Sequence, residues 1–203
     1  MSALLETRPV VVAVAGPNGA GKSTFYKAHL LPAGLRFVNA DVLAKSLELD
    51  PYVAARMADD LRRELVRQRE SFVFETVFSD PVGEKVAFLK DCAGRGHSVV
   101  LCFIGLASSD VSDERVAMRV LQGGHDVPIE KLVARFPRTL DNLALAIREL
   151  PHVRVYDNSD LRHPFRHVLS VDSGRIAAVH PPVPEWLARS LPDRPAKLKT
   201  PCA

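Results

Sequence analysis

Cysteine is scarce in this sequence, and its placement suggests neither a bridge nor a metal. Cys92, Cys102 and Cys202 make an odd number with no paired spacing of the kind a zinc site needs. Cys102 lies in an apolar, strand-like run and reads as a small buried hydrophobe. A reducing compartment follows. Long apolar runs are missing as well. Val10 to Ala15 falls far short of the roughly 20 residues that cross a bilayer. No signal peptide is evident, so a cytoplasmic location without a membrane partner is expected. Neither sign of charge dominates: 27 Lys and Arg against 24 Asp and Glu leave a net +3. That balance suits anionic small-molecule ligands and argues against nucleic acid as the partner. No internal repeat is present.

What is present supports a sizeable core, since 47% of the 203 residues are hydrophobic. The length fits one domain, expected over residues 1–180, followed by a short helix and proline-rich tail over 181–203. One stretch stands out. Gly16-Pro17-Asn18-Gly19-Ala20-Gly21-Lys22-Ser23 fits G-x-x-x-x-G-K-[ST], the phosphate-binding loop of nucleotide-binding α/β proteins. The β-branched run Val10 to Ala15 precedes it and reads as a strand buried on both faces. Thr24 to Leu31 follows and reads as a helix stopped by Pro32 and Gly34. Glycines let successive N–H groups point at phosphate, and the helix adds its positive end. Lys22 is expected on the β- and γ-phosphates of ATP, and the Ser23 hydroxyl on Mg²⁺.

The rest alternates between strand and helix patterns. Residues 36–40 read as a second strand, with a helix candidate from Asp41 to Leu49. Asp50 and Pro51 form a cap-plus-proline start to a helix reaching about Glu70. Its Arg56, Arg62, Arg63 and Arg67 read as a solvated face. Residues 71–76 read as a third strand, and Ser79-Asp80-Pro81 as another helix start. Residues 98–106 form a fourth strand, and Ser108 to Leu121 a helix broken by Gly123-Gly124. The next helix opens at Pro128, and Pro137 within it predicts a kink or a break. After a fifth strand at 153–156, Val171-Asp172-Ser173-Gly174 reads as the turn of a β-hairpin. Residues 1–8 read as a frayed lead-in and 192–203 as a tail. The fold class expected is α/β: a P-loop kinase-like parallel sheet covered by helices on both faces, with a C-terminal β-hairpin.

A phosphate loop serves many chemistries, and the missing motifs narrow them. There is no Leu-Ser-Gly-Gly-Gln transporter signature, no Asn-Lys-x-Asp guanine reader, and no apolar strand ending in Asp-Glu. Val155-Tyr156-Asp157 imitates the last but comes too late in the chain. Polar groups do sit at strand ends, where ligands of open α/β sheets bind. Asp41 follows the second strand, and Glu75 with Thr76 ends the third. Asp41 reads either as a base for an acceptor hydroxyl or as a helix N-cap. Glu75 reads either as part of the site or as a partly buried structural acid. Arg115 and Arg119 share a helix face, as lid cations on a transferring phosphoryl group or as surface arginines. His125 either orients substrate or is structural, and Arg135 and Arg138 can also point toward the site.

These pieces together resemble the zeta-toxin family of P-loop kinases. The similarity rests on Gly16 to Thr24, Phe37-Val38-Asn39-Ala40-Asp41, Phe72 to Thr76, Arg115 to Val120, Gly123-Gly124-His125-Asp126-Val127-Pro128, and Val155 to Ser159. The resemblance implies ATP-dependent phosphorylation of the 3′-hydroxyl of the amino sugar of UDP-N-acetylglucosamine, with Mg²⁺. It implies Asp41 as base, Lys22 and Arg115 on the phosphates, and Asn39, Glu75, Thr76 and His125 on the substrate. Arg119 is the candidate second phosphate-binding arginine, alongside Arg135 and Arg138. It also implies a small antitoxin protein as a partner. The sequence departs from the family at Val77, where characterised toxins carry a threonine two residues beyond the strand-three glutamate.

Overall fold

The structure is a computed structural model that describes residues 2–121 and 128–191. Gly123, Gly124, His125 and the tail lie outside the described residues, and so does the side chain of Arg119. The chain begins with helix α1 (Ser2–Glu6), where the sequence suggested a frayed lead-in, and then enters β1 (Val10–Ala15). Helix α2 starts at Lys22 and continues through a wide π turn to Leu30 and a tight turn to Ala33. Strand β2 (Arg36–Val38) is shorter than its pattern because Asn39 leaves the sheet to cap α3 (Ala40–Leu47). Its Oδ1 accepts from the N–H groups of Asp41 and Val42 at 2.8 and 3.2 Å. The cap expected at Asp41 is therefore Asn39. Asp50 caps α4 (Pro51–Arg67) as its sequence predicts, accepting from Tyr52 and Val53.

Strand β3 (Phe72–Thr76) leads to α5 (Glu84–Gly94), which starts later than Pro81 suggested. The N-cap of α5 is Gly83, and the Asp80 carboxylate accepts from the N–H of Glu84 at 2.5 Å. Then come β4 (Ser98–Gly105), α6 (Ser109–Leu121) and α7 (Ile129–Glu149). Helix α7 runs through Pro137 without the expected break. Its buried residues Leu132, Thr139, Leu143, Ala146 and Ile147 lie on both sides of the proline, so packing of one continuous face outweighs the lost hydrogen bond. Strand β5 (His152–Asp157) is followed by β6 (Arg166–Asp172), β7 (Arg175–Val179) and α8 (Glu185–Ala188).

The seven strands form one sheet in the order β2-β3-β1-β4-β5-β6-β7. The first five are parallel and the last two antiparallel, so the hairpin extends the sheet beyond β5. Alternation along the buried strands feeds two cores. Val11, Ala13 and Ala15 pack with α4, α5 and α7, while Val10, Val12 and Val14 pack with Phe25 and Leu30 of α2. Cys92 and Cys102 are buried, and desolvation pushes both thiols up to about 12. Among the described residues, no helix is long and apolar enough to cross a membrane.

Trp186 of α8 inserts into the first core. Its ring lies over Gly105, where any Cβ would collide with it, and its centroid is 6.1 Å from that of Phe103. Its Nε1 donates to Asp157 Oδ1 at 3.4 Å, so the segment after the hairpin closes over the C-terminal ends of β4 and β5. Trp186→Ala is expected to destabilise the protein by about 3–5 kcal/mol, read from urea unfolding. A loss below about 0.5 kcal/mol would mean that α8 contributes nothing to the core.

Candidate active site

The phosphate loop leaves the end of β1 at the centre of the sheet, between β3 and β4. Gly16 has φ of 144°, and a side chain there would collide with the carbonyl of Ile104. Gly21, at φ of 87°, would place a Cβ 2.9 Å from Asn158 Nδ2. Both positions demand glycine through conformation and space together. The buried Lys22 ammonium turns back over the loop and donates to the carbonyls of Gly16 and Pro17 at 3.1 and 2.9 Å.

Two side chains outside the motif brace the loop. Ser112 of α6 donates to the Asn18 carbonyl at 2.6 Å. Asn158, buried just past β5, donates to the Ala20 carbonyl at 2.9 Å and accepts from the N–H of Phe165 at 3.2 Å. The sequence marks these poles only weakly. Asn158 follows a strand end, and Ser112 sits on a helix whose other residues explain it without the loop. Arg115 also lies on this side. Its Cβ and the Ser112 carbonyl lie beside Gly19, and its guanidinium donates to the Ser159 carbonyl at 3.1 Å. Desolvation lowers its pKa despite nearby Asp157 and Glu114.

The other side of the loop is a cleft of about 620 Å³, lined by Asn18, Lys22, Asp41, Glu75 and Thr76 among others. Six of the expected site residues thus share one cavity: Asn18, Lys22, Asn39, Asp41, Glu75 and Thr76. Asp41 sits in the first turn of α3, exposed, and its carboxylate has no hydrogen-bond or ion-pair partner among the described residues. Glu75 is engaged. Its Oε2 accepts from Ser23 Oγ at 2.8 Å and from Asn39 Nδ2 at 3.1 Å. Asn39, expected on the substrate, is thus occupied as the cap of α3 and as a strut for Glu75.

The strand-three carboxylate beside the loop serine is the place where P-loop proteins hold magnesium through an acid and a hydroxyl. The sequence showed no Asp-Glu strand end, and the lone Glu75 fills that place because β3 lies next to β1. Its hard oxygen donors fit Mg²⁺, which takes one or two carboxylates together with phosphates and water. Among the described residues, no group of three or more His, Cys, Asp and Glu side chains could hold a metal ion by itself.

The segment after β3 is shaped for the cleft. Phe78 is buried at a φ of 64°, an uncommon conformation for a bulky residue. Thr76 Oγ1 accepts its N–H at 3.1 Å, and Asn142 of α7 donates to its carbonyl at 2.9 Å. Asn142 also donates to the Asp80 carbonyl at 2.9 Å, and the Thr139 hydroxyl lies between the carbonyls of Arg135 at 3.0 Å and Val77 at 3.3 Å. Polar residues on the apolar face of α7 were the available signal for both. Arg135 lines the cleft with Lys22, whereas Arg138 is exposed outside it. Arg62 also lines the cleft at only 6% exposure, which corrects its reading as part of a solvated face.

Comparison with known proteins places this geometry among relatives. The Zeta toxin family profile matches residues 44–166, more than half the chain, and begins beyond both the phosphate loop and Asp41. The native AvrRxo1-ORF1:-ORF2 complex has a similar structure, with a TM-score of 0.72 at 19% identity, covering 96% of this chain and 68% of that one. The same complex with ATP gives 0.70 at 18%, covering 96% and 67%. The PezAT chromosomal toxin–antitoxin system of Streptococcus pneumoniae gives 0.52 at 15%, covering 75% and 69%. At such identities the likeness is one of fold. No curated protein matches the sequence.

Asn158→Ala leaves the Ala20 carbonyl and the Phe165 N–H without their partner. The expected cost is about 1–3 kcal/mol in denaturant unfolding, with weaker binding of an ATP analogue. Unchanged stability and affinity would remove Asn158 as a brace.

Proposed function

The chain belongs to the Zeta toxin family, and on that premise we propose that it is an ATP-dependent kinase acting on the 3′-hydroxyl of the amino sugar of UDP-N-acetylglucosamine. The observation that carries the proposal is the Asp41 carboxylate, without a partner among the described residues, in the same cleft as Lys22. A kinase needs little covalent chemistry from its protein. It needs phosphates held, an acceptor hydroxyl placed in line, and somewhere for the hydroxyl proton to go.

The residues divide accordingly. The loop from Gly16 to Thr24, through the N–H groups of its residues other than Pro17, and the Lys22 ammonium hold the triphosphate. The acceptor oxygen forms a bond to the γ-phosphorus as the bond to the β,γ-bridging oxygen breaks, and ADP leaves. Asp41 takes the acceptor proton, which its exposed position and lack of partners favour. Ser23 and Glu75 would hold Mg²⁺, which when bound neutralises phosphate charge. Arg135 supplies positive charge from the acceptor side, a role the sequence divided among Arg119, Arg135 and Arg138. Arg115 belongs with the donor side, next to Gly19. Thr76, one residue before the position where characterised toxins carry their threonine, offers a substrate-facing hydroxyl in its stead. His125 retains its substrate role as part of the proposal. ATP use gains support from the ATP-bound AvrRxo1 complex, and a small antitoxin partner from the PezAT system.

Incubation with ATP, Mg²⁺ and UDP-N-acetylglucosamine is expected to yield ADP and a phosphorylated sugar nucleotide, detected by mass. Asp41→Asn should lower kcat by about 10²–10⁴-fold and keep ATP affinity. Wild-type turnover in that variant would eliminate Asp41 as the base. Transfer to other acceptors in a panel, with none to the UDP-sugar, would replace the sugar assignment and leave the kinase.

A further inference from the structure

The cleft lies at the carboxyl ends of the strands. At their amino ends, roughly 20 Å away along β1, is a second cavity of about 710 Å³. It spans three neighbouring strands, because β2, β3 and β1 lie side by side. The residues leading into each strand form its walls: Ala33 to Arg36 for β2, Arg69 to Ser71 for β3, and Arg8 with Pro9 for β1. Ser71 Oγ accepts from the Val10 N–H at 3.0 Å and ties two of these entries together. Pro9, Ala33 and Leu35 give the cavity a half-buried apolar wall, and three exposed arginines face the same space.

Other arginines near this rim are paired with acids. Arg67 at the end of α4 pairs with Glu64 at 2.6 Å, and Arg95 after α5 pairs with Asp91 at 2.7 Å. Arg8, Arg36 and Arg69 form no ion pair among the described residues, although Glu70 lines the cavity with them. Two of the three are anchored to main chain instead. Arg8 donates to the Leu5 carbonyl near the end of α1, and Arg69 Nη1 donates to the Arg95 carbonyl at 3.1 Å. Such a bond takes one of the five N–H donors of a guanidinium and restrains its plane. Arg36 has no hydrogen-bond partner among the described residues. Arg69 also holds an uncommon backbone position. It follows the end of α4 at φ of 57°, a conformation that glycine takes freely and arginine at a cost. Helix termination alone favours glycine there. Binding of helix-end carbonyls accounts for one donor each on Arg8 and Arg69, and for nothing on Arg36. His97, beside Arg69, adds no charge. Burial, and Arg69 with it, lower its pKa against the backbone of Cys92 and Glu70.

We propose that this cavity is a second ligand site, in which Arg8, Arg36 and Arg69 hold the diphosphate of a small phosphorylated molecule whose uncharged body lies against Pro9, Ala33 and Leu35. A guanidinium presents two parallel donors to a phosphate group, so three of them match a chain of phosphates better than a single carboxylate. The site is separate from the cleft and does not rest on the kinase reading of it. Strand β1 is the element the two share: Pro9 precedes it at this cavity, and Gly16 follows it at the phosphate loop.

A binding measurement with a local readout tests the site. Protein saturated with Mg²⁺ and the β,γ-imido analogue of ATP, so that the phosphate loop is filled, is titrated with inorganic pyrophosphate and followed by amide NMR. Saturable shifts are expected at Gly34, Leu35 and Ser71. Arg36→Gln combined with Arg69→Gln should weaken binding read at those amides about tenfold or more. Glu70→Gln, which removes the carboxylate lining the cavity, should tighten it about threefold. All three side chains are exposed, so these variants keep the fold, and their affinity for the ATP analogue should stay unchanged. Shifts confined to amides of the cleft, such as Ala40 and Thr76, would mean that pyrophosphate enters only there and would overturn the site. Equal affinity at Gly34, Leu35 and Ser71 in wild type and in the double arginine variant would overturn it as well.

Discussion

A loop that must aim several amide donors at one point cannot satisfy itself, because those amides are withheld from secondary structure. It has to be held by its carbonyls. Here the carbonyls of Gly16, Pro17, Asn18 and Ala20 accept from Lys22, Ser112 and Asn158. The carbonyls are tied down by side chains, and within the loop the Ala20 N–H donates to the Pro17 carbonyl at 3.3 Å. The ties from outside the loop come from α6 and from the turn after β5, so the β4–β5 crossover and the connection into antiparallel β6 converge on this loop. Gly16 completes the arrangement by letting the main chain press against β4 at Ile104.

The acceptor half depends on a different set of ties. Asn142 and Thr139 of α7 hold the segment after β3 through the carbonyls of Val77, Phe78 and Asp80. That segment can therefore keep Phe78 in a left-handed conformation that its neighbours over-determine. The halves meet at Glu75, which accepts from Ser23 on one side and Asn39 on the other. One carboxylate thus couples the start of α2 to the start of α3. Asp41, in the first turn of α3, inherits its position from that bond without being consumed by it.

Much of the fold was legible because its signals are local. Val10 to Ala15 is apolar at every position, as a strand with two covered faces must be. Asp50-Pro51 starts α4, and Ser173-Gly174, both at positive φ, turns the hairpin. Misreadings came where tertiary contacts outweigh local preference. Pro137 does not break α7, because apolar residues on both sides of it share one core face. Of the two readings open for Asp41, the cap of α3 falls to Asn39, which is better placed by the end of β2. Arg62 looked solvated in a helix with several other arginines, and only the packing of α4 against Phe74 and the cleft reveals it as buried.

The sequence by itself determined the phosphate loop, the alternating sheet, and the residue types at strand ends. Each depends on neighbours in the chain, through glycine conformations, side-chain periodicity and caps. Tertiary structure decided which of those residues share a cavity. Strand order put Glu75 beside Ser23 by setting β3 against β1, and helix packing brought α7 to the cleft with Arg135 rather than Arg138. It also joined Arg62 and Lys85 at Asp59. No spacing along the chain encodes that meeting, because it depends on two helices docking side by side on one face of the sheet.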